Sequence, residues 1–288
     1  MMNRRRFVLG MATLAALPAS RATPEATVPA GAGSGVALVL GGGGCRGYGH
    51  IGVLRVLGEE GLKPSLVVGS SVGALVGALY AAGMDADALE RAGAGASHNL
   101  LRSWIFPFTL GMFSGDRIRR FVESKIGRTS IEMLPMPFAA VATNLRTGKM
   151  RIFRRGAVGT VVQASASAPG LLEPVEIDGE LYAEGALTAP VPVSAARELG
   201  AARVLAVDVS FPPEQADLND PFDALYQGFS ILTRNLALEE RAAADVALEP
   251  PIPPHNDMKP ATLKAIVEAG EEAARSALPA IRNLFGNS

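Results

Sequence analysis

Ser71 stands in Gly69-Ser70-Ser71-Val72-Gly73, a G-x-S-x-G spacing. A serine so placed can act as a nucleophile. It sits on a sharp strand-to-helix turn, where the hydroxyl is exposed at the end of a sheet. Glycines two residues to either side let neighbouring backbones pass without a Cβ clash. The following helix also points its positive end at the reacting oxygen. The pentapeptide alone also fits a Gly-rich turn in which Ser71 only caps a helix. A second segment, Gly41-Gly42-Gly43-Gly44-Cys45-Arg46-Gly47, exposes several adjacent backbone N–H groups, as an oxyanion hole requires. Arg46 could fix this loop by bonding to carbonyls, or face an anionic head group. Gly42-x-Gly44-x-x-Gly47 also satisfies the dinucleotide-binding spacing G-x-G-x-x-G. That chemistry expects an acid at the end of the next strand, where this chain has Gly69-Ser70-Ser71. A P-loop is excluded, because no Lys-Ser or Lys-Thr follows Gly47.

These residues need elements to hold them. Val36 to Leu40 is a short, continuous apolar run that ends in glycines, the pattern of a strand buried on both faces. From Gly47 to Glu60 the apolar residues Ile51, Leu54 and Leu57 fall at helical spacing, and Gly61 closes the helix. Leu66 to Val68 predicts a second buried strand, with a helix starting near Ser71. Strands are expected again at Phe138 to Ala142 and Val204 to Val209. Helices are expected over 221–245 and 259–285, parted by Pro250, Pro251, Pro253 and Pro254. The alternation predicts an α/β fold. No internal repeat or domain boundary is visible.

Composition narrows the function. Of 288 residues, 48% are hydrophobic, with 32 Gly and 20 Pro, which suits a packed, turn-rich globule. Aromatics are only 6%, so the core is expected to be aliphatic. A net charge of −1 gives no electrostatic basis for nucleic acid binding. The single cysteine, Cys45, excludes an intramolecular disulfide, and His50, His98 and His255 are not spaced as zinc ligands. Residues 1–22 read as a signal peptide: Arg4-Arg5-Arg6, then the apolar Phe7 to Leu17, then Ser20-Arg21-Ala22. The arginines before Phe7 are similar to a twin-arginine export signal, which implies a periplasmic or secreted location. Residues 23–34 read as a linker and 35–288 as the working domain. No other segment is long and apolar enough to span a bilayer.

Three segments together resemble the patatin-like phospholipase family. Gly42 to Leu54 reads GGGCRGYGHIGVL and resembles that family's oxyanion segment and following helix. Gly69 to Leu75 reads GSSVGAL and resembles its nucleophile elbow. Ala164 to Val193 reads ASASAPGLLEPVEIDGELYAEGALTAPVPV and resembles its third block. The likeness runs over 36–210. It implies a three-layer α/β/α fold on a mainly parallel sheet. It also implies a serine–acid dyad with no metal or cofactor, and a phospholipid or other acyl-ester substrate. The oxyanion set would be Gly42, Gly43, Gly44, Arg46 and Gly47, around an elbow flanked by Gly69 and Gly73. The family's aspartate position falls on Glu184, in Glu184-Gly185-Ala186, one methylene longer. A carboxylate displaced by about 1 Å can cost about 10²-fold in rate. Asp178 is the nearest substitute, although Asp178-Gly179 reads as a hairpin turn. A full triad would have to use His255, the only histidine late enough in the chain. His50 reads as structural, and no motif surrounds His98.

Residues 100–113, LLRSWIFPFTLGMF, hold the single tryptophan and three of the eleven phenylalanines. They read either as a core segment or as a hydrophobic flap able to make transient contact with a membrane surface. Two further readings stay open. One is a catalytically impaired lipid-binding protein, motivated by Glu184. The other is a dinucleotide-binding oxidoreductase, against which the missing ribose acid speaks.

Overall fold

A computed structural model describes residues 35–94, 110–215, 218–219, 221–254 and 259–286. The expected signal and linker, His98, His255 and residues 100–109 lie outside the described residues.

The apolar runs form the centre of an eight-stranded sheet. Its strands are β1 (Val36–Leu40), β2 (Leu66–Ser70), β4 (Phe138–Asn144), β5 (Met150–Phe153), β7 (Val175–Ile177), β8 (Glu180–Ala183), β9 (Arg203–Val207) and β10 (Val246–Leu248). The order is β10-β9-β1-β2-β4-β8-β7, with β5 also paired to β4. Pairs from β10 through β4 are parallel, whereas β5, β7 and β8 join antiparallel. A separate parallel pair joins β3 (Gly111–Phe113) to β6 (Gly170–Leu172). β3 contains the last residues of the apolar 100–113 segment, in which Phe113 is buried.

Alternate residues of each central strand feed two cores, one on each face. Leu38, Val67 and Ala140 meet α1 (Tyr48–Glu59), α2 (Val72–Ala81), α5 (Val158–Ser165) and α8 (Pro260–Ser276). Val39, Val68 and Ala139 meet α6 (Val193–Glu198) and α7 (Pro221–Ala242). This is a three-layer α/β/α architecture. The remaining helices are α3 (Ala86–Ala94), α4 (Asp116–Ile126) and α9 (Leu278–Phe285).

α1 and α8 cross with their backbones in contact. A Cβ on Gly52 would lie 2.0 Å from the Val267 carbonyl oxygen, and one on Gly270 would lie 2.0 Å from that of Gly49. Arg55 to Glu271 (2.5 Å) and Arg275 to Glu59 (2.8 Å) tie the same surfaces together, and Arg282 to Glu60 (2.6 Å) ties α9 to the end of α1.

The structure corrects two boundaries. The expected helix over 259–285 is two helices that meet at Ala277, where Pro279 enters the first turn of α9 and tolerates the new start. The strand expected to reach Val209 ends at Val207. The next residue, Asp208, turns its fully buried carboxylate toward α7. It accepts from Arg234 Nη1 at 2.9 Å, Arg241 Nη1 at 3.3 Å and the Ser210 amide at 2.9 Å. Glu249 pairs with both arginines from the other side. Asp208→Asn is expected to destabilise the fold by about 3 kcal/mol, because two arginines lose the charge between them. Thermal unfolding checks this; an unchanged melting temperature would show the network to be energetically idle.

Candidate active site

Ser71 follows the last residue of β2 and caps α2, with φ 53° and ψ −123°. A non-glycine residue at positive φ is strained by about 1–3 kcal/mol, so surrounding contacts must impose it. Two of them are the elbow glycines. A Cβ on Gly73 would lie 2.0 Å from the Leu40 carbonyl oxygen, and one on Gly69 would lie 2.5 Å from the Ala74 backbone. The strand–turn–helix here packs too tightly for any side chain at either position.

Glu184 directly follows β8, caps the short turn Gly185–Leu187 and is buried. Ser71 Oγ donates to its Oε2 at 3.1 Å, across 113 positions of sequence. Its other oxygen accepts from the Ala186 amide at 3.3 Å. Its backbone is fixed as well: the Glu184 amide donates to the Ser167 carbonyl at 2.9 Å, and Thr143 Oγ1 donates to the Glu184 carbonyl at 2.9 Å. The extra methylene therefore does not keep the carboxylate from the serine. Burial raises the Glu184 carboxyl to about 7, and the bonds from Ala186 and Ser71 only partly oppose that rise. Such a group changes charge near neutrality, where a general base works best. Asp178 lies elsewhere, at the exposed tip of the β7–β8 turn. It has φ 53° beside Gly179 at 79°, the two-residue hairpin geometry its sequence suggested.

The glycine loop meets both groups. A Cβ on Gly42 would stand 3.3 Å from Ser71 Cβ and 3.4 Å from Ala186 Cβ, so the three motifs converge at one point. The structure divides the expected oxyanion residues by what their donors already do. The Gly41 amide donates to Val207 O at 3.0 Å and the Gly42 amide to Pro190 O at 2.8 Å. The Arg46 amide donates to Gly43 O at 3.1 Å, and its buried guanidinium donates Nε–H to Val209 O at 3.1 Å. Gly42 and the Arg46 amide are thus corrected from donors to anchors, and Arg46 fixes the loop rather than facing a head group. Gly47 packs against the Val72 side chain. Among the described residues, the Gly43 and Gly44 amides have no protein acceptor, and both residues are at least partly accessible.

His50 is fully buried on α1, and its Nε2 lies 2.8 Å from the Gly41 carbonyl oxygen. A carbonyl only accepts, so Nε2 carries the proton. Burial lowers the ring to about 4 and keeps it neutral. It holds the loop through Nε2, its unprotonated Nδ1 is buried without a hydrogen-bond partner, and the Ser71 hydroxyl bonds to Glu184 instead. Among the described residues no group of acids, cysteines and histidines could hold a metal ion.

Residues 38–197, more than half of the chain, match the family described as patatin-like phospholipase. The chain belongs to the patatin-like phospholipase family. An uncharacterized NTE family protein of Mycobacterium bovis is 37% identical over 61% of this patatin-like chain and 49% of its own length. Patatin-like phospholipase domain-containing protein 6 of Homo sapiens is 35% identical over 71% of this chain and 15% of its own. The chain thus spans half or less of these curated relatives. VipD from Legionella pneumophila superposes with a TM-score of 0.58 at 15% identity, covering 85% of this chain and 67% of VipD. It shares the fold.

Proposed function

We propose that this patatin-like chain is a serine lipid acyl hydrolase that cleaves a carboxylic ester by way of an acyl-enzyme. The observation that carries the reading is the bond from Ser71 Oγ to Glu184 Oε2 at 3.1 Å, with the glycine loop packed against Ser71 at Gly42. In this reading Glu184 accepts the Ser71 proton as Oγ attacks the ester carbonyl. The Gly43 and Gly44 amides stabilise the oxyanion. The alcohol leaves with a proton returned from Glu184, and water then releases the acid by the same steps in reverse. Substrate chemistry is proposed at the level of a phospholipid or similar acyl ester, in keeping with the family. Among the described residues no helix is long and apolar enough to cross a membrane. The proposal includes transient contact with a membrane surface through 100–113.

The alternative, a catalytically impaired lipid-binding protein, rests on an acid one methylene too long. With Glu184 within reach of Ser71, no specific observation favours that alternative. Active-site titration tests the proposal. A fluorophosphonate probe is expected to label the full chain once, at Ser71, and to leave Ser71→Ala unlabelled. Hydrolysis of p-nitrophenyl butyrate is expected to stop as labelling completes. No labelling of the folded parent would sink the hydrolase reading.

A further inference from the structure

The C-terminal turn of α5 touches both members of the dyad. Ser165, fully buried, accepts from the Ser71 amide at 2.9 Å. Two residues on, the Ser167 carbonyl accepts from the Glu184 amide at 2.9 Å. The Ser167 hydroxyl donates back to the Gln163 carbonyl at 2.8 Å and keeps that turn closed. Nucleophile and acid directly follow β2 and β8, which β4 separates in the sheet. The end of α5 bridges the two with one side-chain bond and one main-chain bond.

Ser71 needs such a hold. Its positive φ is a conformation that a serine leaves unless something opposes relaxation. Rotation of the peptide before Ser71 would carry its N–H away from Ser165 and swing Oγ off Glu184 Oε2. The Ser165 hydroxyl resists that rotation, and it also occupies the Ser71 amide.

We propose that Ser165 is a positioning residue. By accepting the Ser71 amide proton it holds the nucleophile on its acid and removes that amide from the oxyanion donors, leaving the task to Gly43 and Gly44. The inference rests on the hydrolase reading above.

The test uses Ser165→Ala and Ser165→Cys in the full chain, with Ile281→Val as a control buried in α9, away from the site. The thiol is only slightly larger than the hydroxyl but accepts hydrogen bonds weakly. Turnover of p-nitrophenyl butyrate, the rate of fluorophosphonate labelling and the melting temperature are measured on each. Ser165→Ala is expected to lower kcat by about 10²-fold, the scale of a misplaced nucleophile, with KM within about twofold. Labelling should slow by the same factor, Ser165→Cys should fall between, and the control should lose melting temperature only. Parental kcat and labelling in Ser165→Ala would overturn the proposal, as would a kcat loss that the control reproduces. If Ser165→Ala does not fold, parental kcat in Ser165→Cys overturns it equally. An inert, unlabelled parent would instead remove the hydrolase reading on which the inference stands.

Discussion

Ser71→Ala is expected to lower ester turnover by about 10⁴-fold, and Glu184→Gln by about 10³-fold or more, while the double variant loses no more than Ser71→Ala alone. The argument rests on the single bond between the two side chains. A serine hydroxyl is a weak nucleophile until a base takes its proton, and Glu184 Oε2 is the acceptor on Oγ. Once Ser71 is gone, the carboxylate has nothing to activate. Losses that multiplied in the double variant would mean that the two residues act independently and that the dyad does not exist. Activity left in either single variant would come from binding and the Gly43 and Gly44 amides. Glu184→Asp adds a geometric reading. Removing one methylene from a carboxylate already in contact is expected to cost about 10²-fold. A gain would show the glutamate to be misplaced.

The second large effect is on pH dependence, and it has opposite signs for activity and stability. Only ionised Glu184 can accept a proton, so kcat/KM should fall on the acid side with a midpoint near 7, the value to which burial raises it. Stability moves the other way. A carboxyl whose folded value is raised from 4.5 to about 7 contributes fully below 4.5, and that contribution is lost as pH rises through about 7. The shift corresponds to a penalty of about 3 kcal/mol for the ionised form at pH 8. Glu184→Gln carries no such penalty. It should melt several degrees above the parent at pH 8 and near the parent at pH 5. His50 acts in the opposite sense: its share is held above 6.5 and lost as pH falls through about 4. Both proteins contain His50, so the difference between them isolates Glu184. A glutamine variant less stable than the parent at pH 8 would show that the buried carboxylate is not strained.

The parts of the site written in contiguous residues were legible in the sequence. The elbow and the glycine loop declare themselves because local packing demands glycines at fixed spacings, and the strands before them are apolar throughout. Glu184 was legible only through the family resemblance, since nothing local marks a carboxylate as facing a serine 113 positions away. Arg46, His50 and Ser165 carried no readable signal for their partners. Their bonds to Val209, Gly41 and Ser71 are products of the fold. β5 was missed because it is four residues long and partly exposed, too short for alternation to register, whereas β7 and β8 were signalled only by the Asp178-Gly179 turn between them. The α8–α9 break was missed because the apolar spacing runs through it. Proline in a helix's first turn does not interrupt the pattern.

The crossing of α1 with α8 sets an order of assembly. α1 carries His50, which holds the glycine loop; Asp87 and Glu90 of α3 cover one side of it through Arg55, but the face toward α8 waits for residues more than 200 positions later, such as Glu271 against the same arginine. Contacts of that separation form late, because the intervening loop must close first. A chain still being synthesised therefore has its nucleophile made but not its support. On the hydrolase reading, a chain cut short before α8 is expected to lack activity, because the helix that holds the glycine loop is left uncovered.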